Sequence, residues 1–219
     1  MADNKHQYGF RWSVAYNGKP CPQPMVKHVA TAQDDKDDAG VSIGMRAGDP
    51  VKLVTTGGVI VALTTNAVWG IVVGILPYWD GTKMVIGSKL PNQTTWGTIE
   101  SRRSKVLVVP ASAGVWEIDC DVSAAAYDTE GEYQAFVGEN TEHVVPGGTA
   151  TLVAPTDSAD PYLDISEHAT TNTLGWRIEG VAPTLENQDF SGEYVKMLVT
   201  VNLSQEHAAP ASANIVAGV

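Results

Sequence analysis

The tightest constraint on this chain is the cadence of its turns. Between residues 48 and 75, short β-branched runs (51–54, 59–63 and 68–75) are separated by Thr56-Gly57-Gly58 and Thr65-Asn66, and Asp80-Gly81 follows soon after. The next apolar run, 106–109, arrives beyond a polar break. A chain that reverses about every eight to twelve residues has no room for long helices and predicts an all-β fold, an antiparallel β-barrel or sandwich, in one body or two lobes.

Local patterns fill in this frame. Gly57 and Gly58 supply the positive φ for a hairpin over 51–63. The run 68–75 is apolar on both faces and must be covered twice. Gly70 and Gly74 inside it predict a bulge or bend. Residues 115–122 alternate, with Trp116, Ile118, Cys120 and Val122 on one face and Glu117, Asp119 and Asp121 on the other. This reads as a half-exposed antiparallel strand with an acidic outer face. Leu174, Trp176 and Ile178 against Arg177 and Glu179 repeat the pattern, as do Val195, Met197, Val199, Val201 and Leu203 against Lys196, Thr200 and Asn202. Helix signals are poor, and the one short candidate, within 123–136, is interrupted by Gly131.

Three regions follow. Residues 1–40 read as an extended N-terminal arm, 41–205 as a β-rich core with a lobe break near 89–105, and 206–219 as a flexible C-terminal tail. The arm holds one candidate strand over 8–16, and Pro22 and Pro24 keep its next segment extended. Asp34-Asp35-Lys36-Asp37-Asp38 reads as a solvated charge run. Such arms drape over a neighbour or stay disordered, and removing 1–40 is expected to leave the core folded and weaken attachment to a partner.

Charge and composition narrow the function. A net charge of −11 opposes a phosphate-binding surface, so no nucleic acid partner is expected. The first seven residues show no secretory h-region, and the longest apolar run, 67–77, falls short of the roughly 18–20 residues of a membrane span, so no membrane partner is expected. In a reducing cytosol Cys21 and Cys120 read as free thiols.

Catalytic signatures are missing from the sequence. There is no G-x-S-x-G elbow, and the five His are scattered without a third group to orient any of them. Asp119 and Asp121 stand about 7 Å apart at strand rise, a pair suited to glycosidase-like chemistry, but outer-face alternation already accounts for them. Glu139, Glu142 and His143 read as a loop before Pro146-Gly147-Gly148, with cation binding left open. The expectation is a protein that is not an enzyme and needs no cofactor. Exposed rings and arm residues then become the candidate partner-binding set: Tyr8, Phe10, Trp12, Pro22 and Pro24 in the arm, Tyr78 and Trp79 at a hairpin tip, and Trp96, Arg102 and Arg103 in the polar break.

Three segments carry a resemblance. Met45-Arg46-Ala47-Gly48-Asp49-Pro50-Val51-Lys52-Leu53, then Gly58-Val59-Ile60-Val61-Ala62, then Val68-Trp69-Gly70-Ile71-Val72-Val73-Gly74-Ile75, are similar to the strands of tailed-bacteriophage capsid decoration (cement) proteins. The segment 105–120, with Val109-Pro110-Ala111 and Gly114-Val115-Trp116-Glu117-Ile118, also resembles a phage structural protein. The likeness covers about residues 45–140 and implies a virion protein made in the host cytoplasm. It would bind the major capsid protein lattice from outside, commonly as a homotrimer, and reinforce it. Two alternatives stand beside this expectation: a tail-tube or neck subunit, and a carbohydrate-binding module reading glycans through Tyr78, Trp79 and Trp96.

Overall fold

The structure, a computed structural model, describes residues 9–15, 20–30, 44–54, 58–62, 67–79, 82–87, 89–90, 104–121, 127–145, 161–184, 187, 190 and 195–205. In chain order the strands are β1 (Arg11–Ala15), β2 (Met25–His28), β3 (Met45–Arg46), β4 (Pro50–Leu53), β5 (Val59–Val61), β6 (Gly70–Ile75), β7 (Tyr78–Trp79), β8 (Met84–Val85), β9 (Lys89–Leu90) and β10 (Lys105–Pro110). Beyond a 3₁₀ turn (Ala111–Ala113) come β11 (Gly114–Asp121), helix α1 (Glu130–Gln134), β12 (Asn140–Val144), β13 (Tyr162–Ala169), β14 (Trp176–Val181) and β15 (Lys196–Val201). The all-β expectation holds.

Five strands close a barrel in the order β11-β13-β12-β14-β15, with β15 returning to β11. All its pairings are antiparallel except the short β11–β13 contact at Cys120↔Leu163 and Asp121↔Asp164. β1 occupies the earlier part of that same β11 edge, with Trp12 opposite Trp116. A second, antiparallel sheet runs β2-β10-β6-β4-β5. Its two outer strands converge at the bridge Val29↔Val59, where the Ala30 amide donates to the Val59 carbonyl at 3.1 Å.

Two apolar cores follow from this arrangement. The alternation of β11 puts Trp116, Ile118 and Cys120 inside the barrel, where Ile178 from β14 and Met197 and Val199 from β15 meet them. Val51, Val59, Val72, Val106 and Val108 fill the second sheet. The bulge expected in 68–75 is present: opposite Leu107 and Val108, β6 presents Gly74 and Val72, leaving Val73 extra. Gly70 serves close approach instead, since a Cβ there would meet Val108 Cγ1 at 2.6 Å and the Val109 carbonyl oxygen at 2.7 Å.

The N-terminal stretch differs from the expected arm. β1 and β2 are strands of the barrel and of the second sheet, and Phe10 is 3 % exposed in the barrel core. The physical reason is backbone pairing: Phe10 donates its amide to the Gly48 carbonyl at 3.0 Å. Gly9, at φ +60°, lies so close that a Cβ would sit 2.9 Å from the Gly48 oxygen. Residues 1–8, 16–19 and 31–40 of that stretch, and the tail 206–219, lie outside the described residues. The chain passes from the second sheet into the barrel at Ala111–Ala113, downstream of the break expected at 89–105, because Lys105–Pro110 still pairs with β2 and β6. α1 is only five residues long, started by a capping box in which Thr129 and Glu132 satisfy each other's backbone N–H groups.

Deleting residues 1–30 is therefore expected to unfold the protein rather than release an intact core. Phe10→Ala should cost about 3–5 kcal/mol, as for other buried aromatic truncations. Urea denaturation measures both; a Phe10→Ala midpoint indistinguishable from the parent would contradict this packing.

Candidate functional site

Where the two sheets meet, polar and aromatic groups from distant parts of the chain converge. His143 on β12 is fully buried among them. Trp176 Nε1 donates to His143 Nδ1 at 3.0 Å, and His143 Nε2 faces the Ala62 carbonyl oxygen at 2.9 Å. An indole N–H can only donate and a carbonyl can only accept, so the imidazole is neutral with its proton on Nε2. Burial holds its pKa down to about 4. Phe10 stacks on Trp176 at 4.2 Å between ring centroids. Around this group, Val68 donates to the Leu203 carbonyl at 3.0 Å and Gln205 donates its amide to the Val68 carbonyl at 3.1 Å. The Gln205 side chain holds both backbone groups of Leu53, at 2.7 and 3.1 Å.

His143 thus departs from the loop expected at 139–143. Asn140–Val144 is a barrel strand whose inward positions, Thr141 and His143, are polar, which is why apolar alternation did not reveal it. Glu139 turns aside to pair with His168, whose ring meets Phe136 edge-on at 4.7 Å. Glu142 stands directly opposite Asp164, and burial together with the Glu167 and Asp164 charges raises its pKa. The three residues of the expected cation loop therefore point to three different environments. Among the described residues no three His, Cys, Asp or Glu side chains are placed to hold a metal ion.

Asp119 also departs from expectation. It is 4 % exposed rather than solvated, and Lys196 Nζ, 3 % exposed, donates to its Oδ1 at 2.7 Å. The register explains the meeting, since Asp119 and Lys196 face each other across β11–β15. Asn187 lies over them, accepting from the Lys196 amide at 2.9 Å and donating to the Ala182 and Lys196 carbonyls. Held this way, the Asp119 carboxylate is an internal counter-ion rather than one half of a catalytic pair; the Asp121 side chain lies outside the description. Cys120 Sγ donates to the Val195 carbonyl at 3.0 Å in the core, while Cys21 is exposed, and both are free thiols.

The expected partner-binding residues divide three ways. Phe10 is in the core, and Trp12 is half-buried, packed edge-on against Trp116 at 5.3 Å, so neither offers an open face. Tyr78 is 8 % exposed and packs inward, whereas Trp79, next along the strand, points the other way. A flat two-ring platform at that hairpin is therefore not formed, because strand neighbours face opposite sides. Pro22 is half-buried and Pro24 exposed, leading into Met25 and Val26, which are 39 % and 54 % exposed. Tyr8, Trp96, Arg102 and Arg103 lie outside the described residues.

Sequence reasoning missed the surface that the structure does offer. Met84 is 60 % and Ile86 85 % exposed, on and just after β8, and Met84 pairs with Trp79 across the β7–β8 ladder. The alternation Met84–Val85–Ile86 was the available signal, with Val85 turned to the core. A shallow cavity of about 320 Å³ opens between Glu130, Thr184, Asn187 and Phe190, and among the described residues its lining brings together no acid–base pair. No family model matches the chain, and no curated protein or solved structure is significantly similar to it.

Two outcomes are expected of the buried polar groups. The unfolded chain takes up a proton on His143 near pH 6.5 and the folded chain only near 4, so stability falls as pH drops through that window. The slope is about 1.4 kcal/mol per pH unit, one proton's worth. Urea melts at pH 7 and 5 check this, and His143→Gln should flatten the difference. Lys196→Met should cost about 3–5 kcal/mol by removing the cation paired with the buried Asp119 carboxylate. Adding Asp119→Leu should restore most of it, and a double variant as unstable as the single one would refute the pairing.

Proposed function

We propose that this chain is a non-enzymatic structural protein of a tailed-phage virion, which binds the outside of an assembled capsid and stabilises its lattice. The observation that carries the reading is where the protein leaves apolar surface. Met25 and Val26 on the sheet-edge strand β2, and Met84 and Ile86 at the β7–β8 hairpin, are large apolar side chains turned to solvent. Meanwhile Asp119, Lys196 and His143 are committed to internal partners. Exposed apolar groups on a closed β body suit attachment to another protein surface.

Two further features support it. The segments that resemble decoration proteins fall on consecutive strands, β3 to β6 and then β10 and β11. The seam around His143 ties two cores into one body, a property useful to a clamp that must resist a shell under internal pressure. No observation favours a tail-tube subunit or a glycan-reading module over this.

The test is light scattering and co-sedimentation of the purified protein with expanded shells of tailed phages. Saturation of shells at a fixed ratio, weakened by Val26→Asp with the fold intact, is the expected result. Protein that ignores every shell, yet forms rings or tubes when concentrated, would move the assignment to the tail. Retention on a glycan array that is lost in Trp79→Ala would move it to carbohydrate recognition.

A further inference from the structure

The pairing of β15 with β11 closes the barrel, and an amine and a carboxylate lie buried in that closing ladder. Asp119 and Lys196 stand opposite each other, 77 residues apart in sequence, and Lys196 Nζ donates to Asp119 Oδ1 at 2.7 Å. Their side chains are 5 % and 3 % exposed. Lysine is seldom so buried, because its stem normally carries the ammonium out to water. Here the cross-strand register sets the two residues side by side. Asn187 in turn grips the Lys196 backbone, accepting from its amide at 2.9 Å and donating to its carbonyl at 2.8 Å.

A carboxylate and an ammonium in contact share a mobile proton. Passing it from Nζ to the carboxylate removes two charges, and burial favours that neutral form more than water does. The amine left behind carries a lone pair and is a nucleophile. Its hydrogen bond to Oδ1 holds it near the adjoining Cγ, at about the 3–3.5 Å of reacting atoms in a near-attack arrangement. Both groups belong to one folded chain, so the entropy of bringing them together has already been lost in folding. Asn187, the neighbouring side chain that also has an acyl carbon, is held by three backbone groups, whereas Nζ is directed at Asp119.

We infer that Lys196 and Asp119 join in the folded protein through an intramolecular isopeptide bond, an amide between Lys196 Nζ and Asp119 Cγ. Nζ attacks Cγ, the new N–C bond forms, and one C–O bond of the carboxyl breaks. The departing oxygen leaves as water with two of the three ammonium protons, and the third stays on the amide nitrogen. No oxidant, reductant or co-reactant enters this balance. Asn187 and Ala182 also line the shallow cavity beside Thr184, so the released water has open space within one residue of the pair. The bond follows folding, because only the folded register brings Asp119 to Lys196, and the newly folded chain carries the ion pair. Once formed, it ties β15 to β11 covalently at the ladder whose separation would open the barrel. The inference stands on this pair and is independent of the virion reading.

The experiment is intact-mass spectrometry of the purified full chain under denaturing conditions, sampled from refolding through several days of incubation. The parent is expected to become lighter by one water. A tryptic map should then show Lys196 uncut and its peptide joined to the one that holds Asp119. Lys196→Arg keeps a cation beside Asp119 but has no attacking amine, so it should retain its full mass; circular dichroism checks that it folds. Lys196→Met with Asp119→Leu is the second unlinked control. Neither Lys196→Met nor this double variant can form the bond, so their comparison with each other reads the ion pair alone. Succinimide formation at Asp80-Gly81 also releases water, but it persists in Lys196→Arg and leaves the peptides separate. A parent that keeps its full mass throughout overturns the inference. So do a water loss shared by Lys196→Arg, and a cross-link formed with loss of ammonia, which would assign the attack to Asn187.

Discussion

A neutral imidazole at the junction of two β sheets sets the terms for the rest of this molecule. His143 must accept from an indole on β14 and donate to a carbonyl that follows β5, and only one tautomer does both. Fixing that ring fixes Trp176, on which Phe10 stacks, and Phe10 in turn is held through its backbone to Gly48. Five segments, from near residues 10, 48, 62, 143 and 176, thereby become one object. A buried polar network of this kind is stable only when every member has a partner, since an unpaired group in a low-dielectric interior is costly.

Interlocking at the seam makes the topology strongly non-local. Arg11 forms its ion pair with Glu117, 106 residues away, and Leu53 bonds Gln205 across 152 residues. Closure entropy must be overcome before such contacts give anything back, so a fold of this type is expected to form slowly and, once formed, to open reluctantly. The N-terminal strands are part of the lock. β1 completes the β11 edge that β13 covers only at its far end, and β2 brings the second sheet round to β5.

Electrostatics separates the inside from the outside in a second way. The buried Asp119–Lys196 pair and the His143 bridge satisfy charge and polarity internally, while Asp128, Glu130, Glu167 and Glu179 stand exposed on the barrel side and Met25, Val26, Met84 and Ile86 are exposed elsewhere.

Much of the architecture was legible in order along the chain. Turn cadence, the Val-rich runs and the alternation of Trp116, Ile118 and Cys120 gave the all-β class, the 51–63 hairpin and the bulge beside Gly74, because these depend on local backbone preference and two-residue periodicity. β12 and β13 were not legible: Thr141 and His143 are polar residues facing inward, and the barrel tolerates them only because Asp164, Ala62 and Trp176 supply their bonds. The same reason explains Asp119, which alternation placed on a wet face but register set against Lys196. The sequence by itself determined strand content, hydrophobic faces and net charge. Tertiary structure alone decided which polar residues lie inside, that Phe10 belongs to the core, and which side of the Met84–Val85–Ile86 alternation faces solvent, since each of these depends on partners that are remote in sequence.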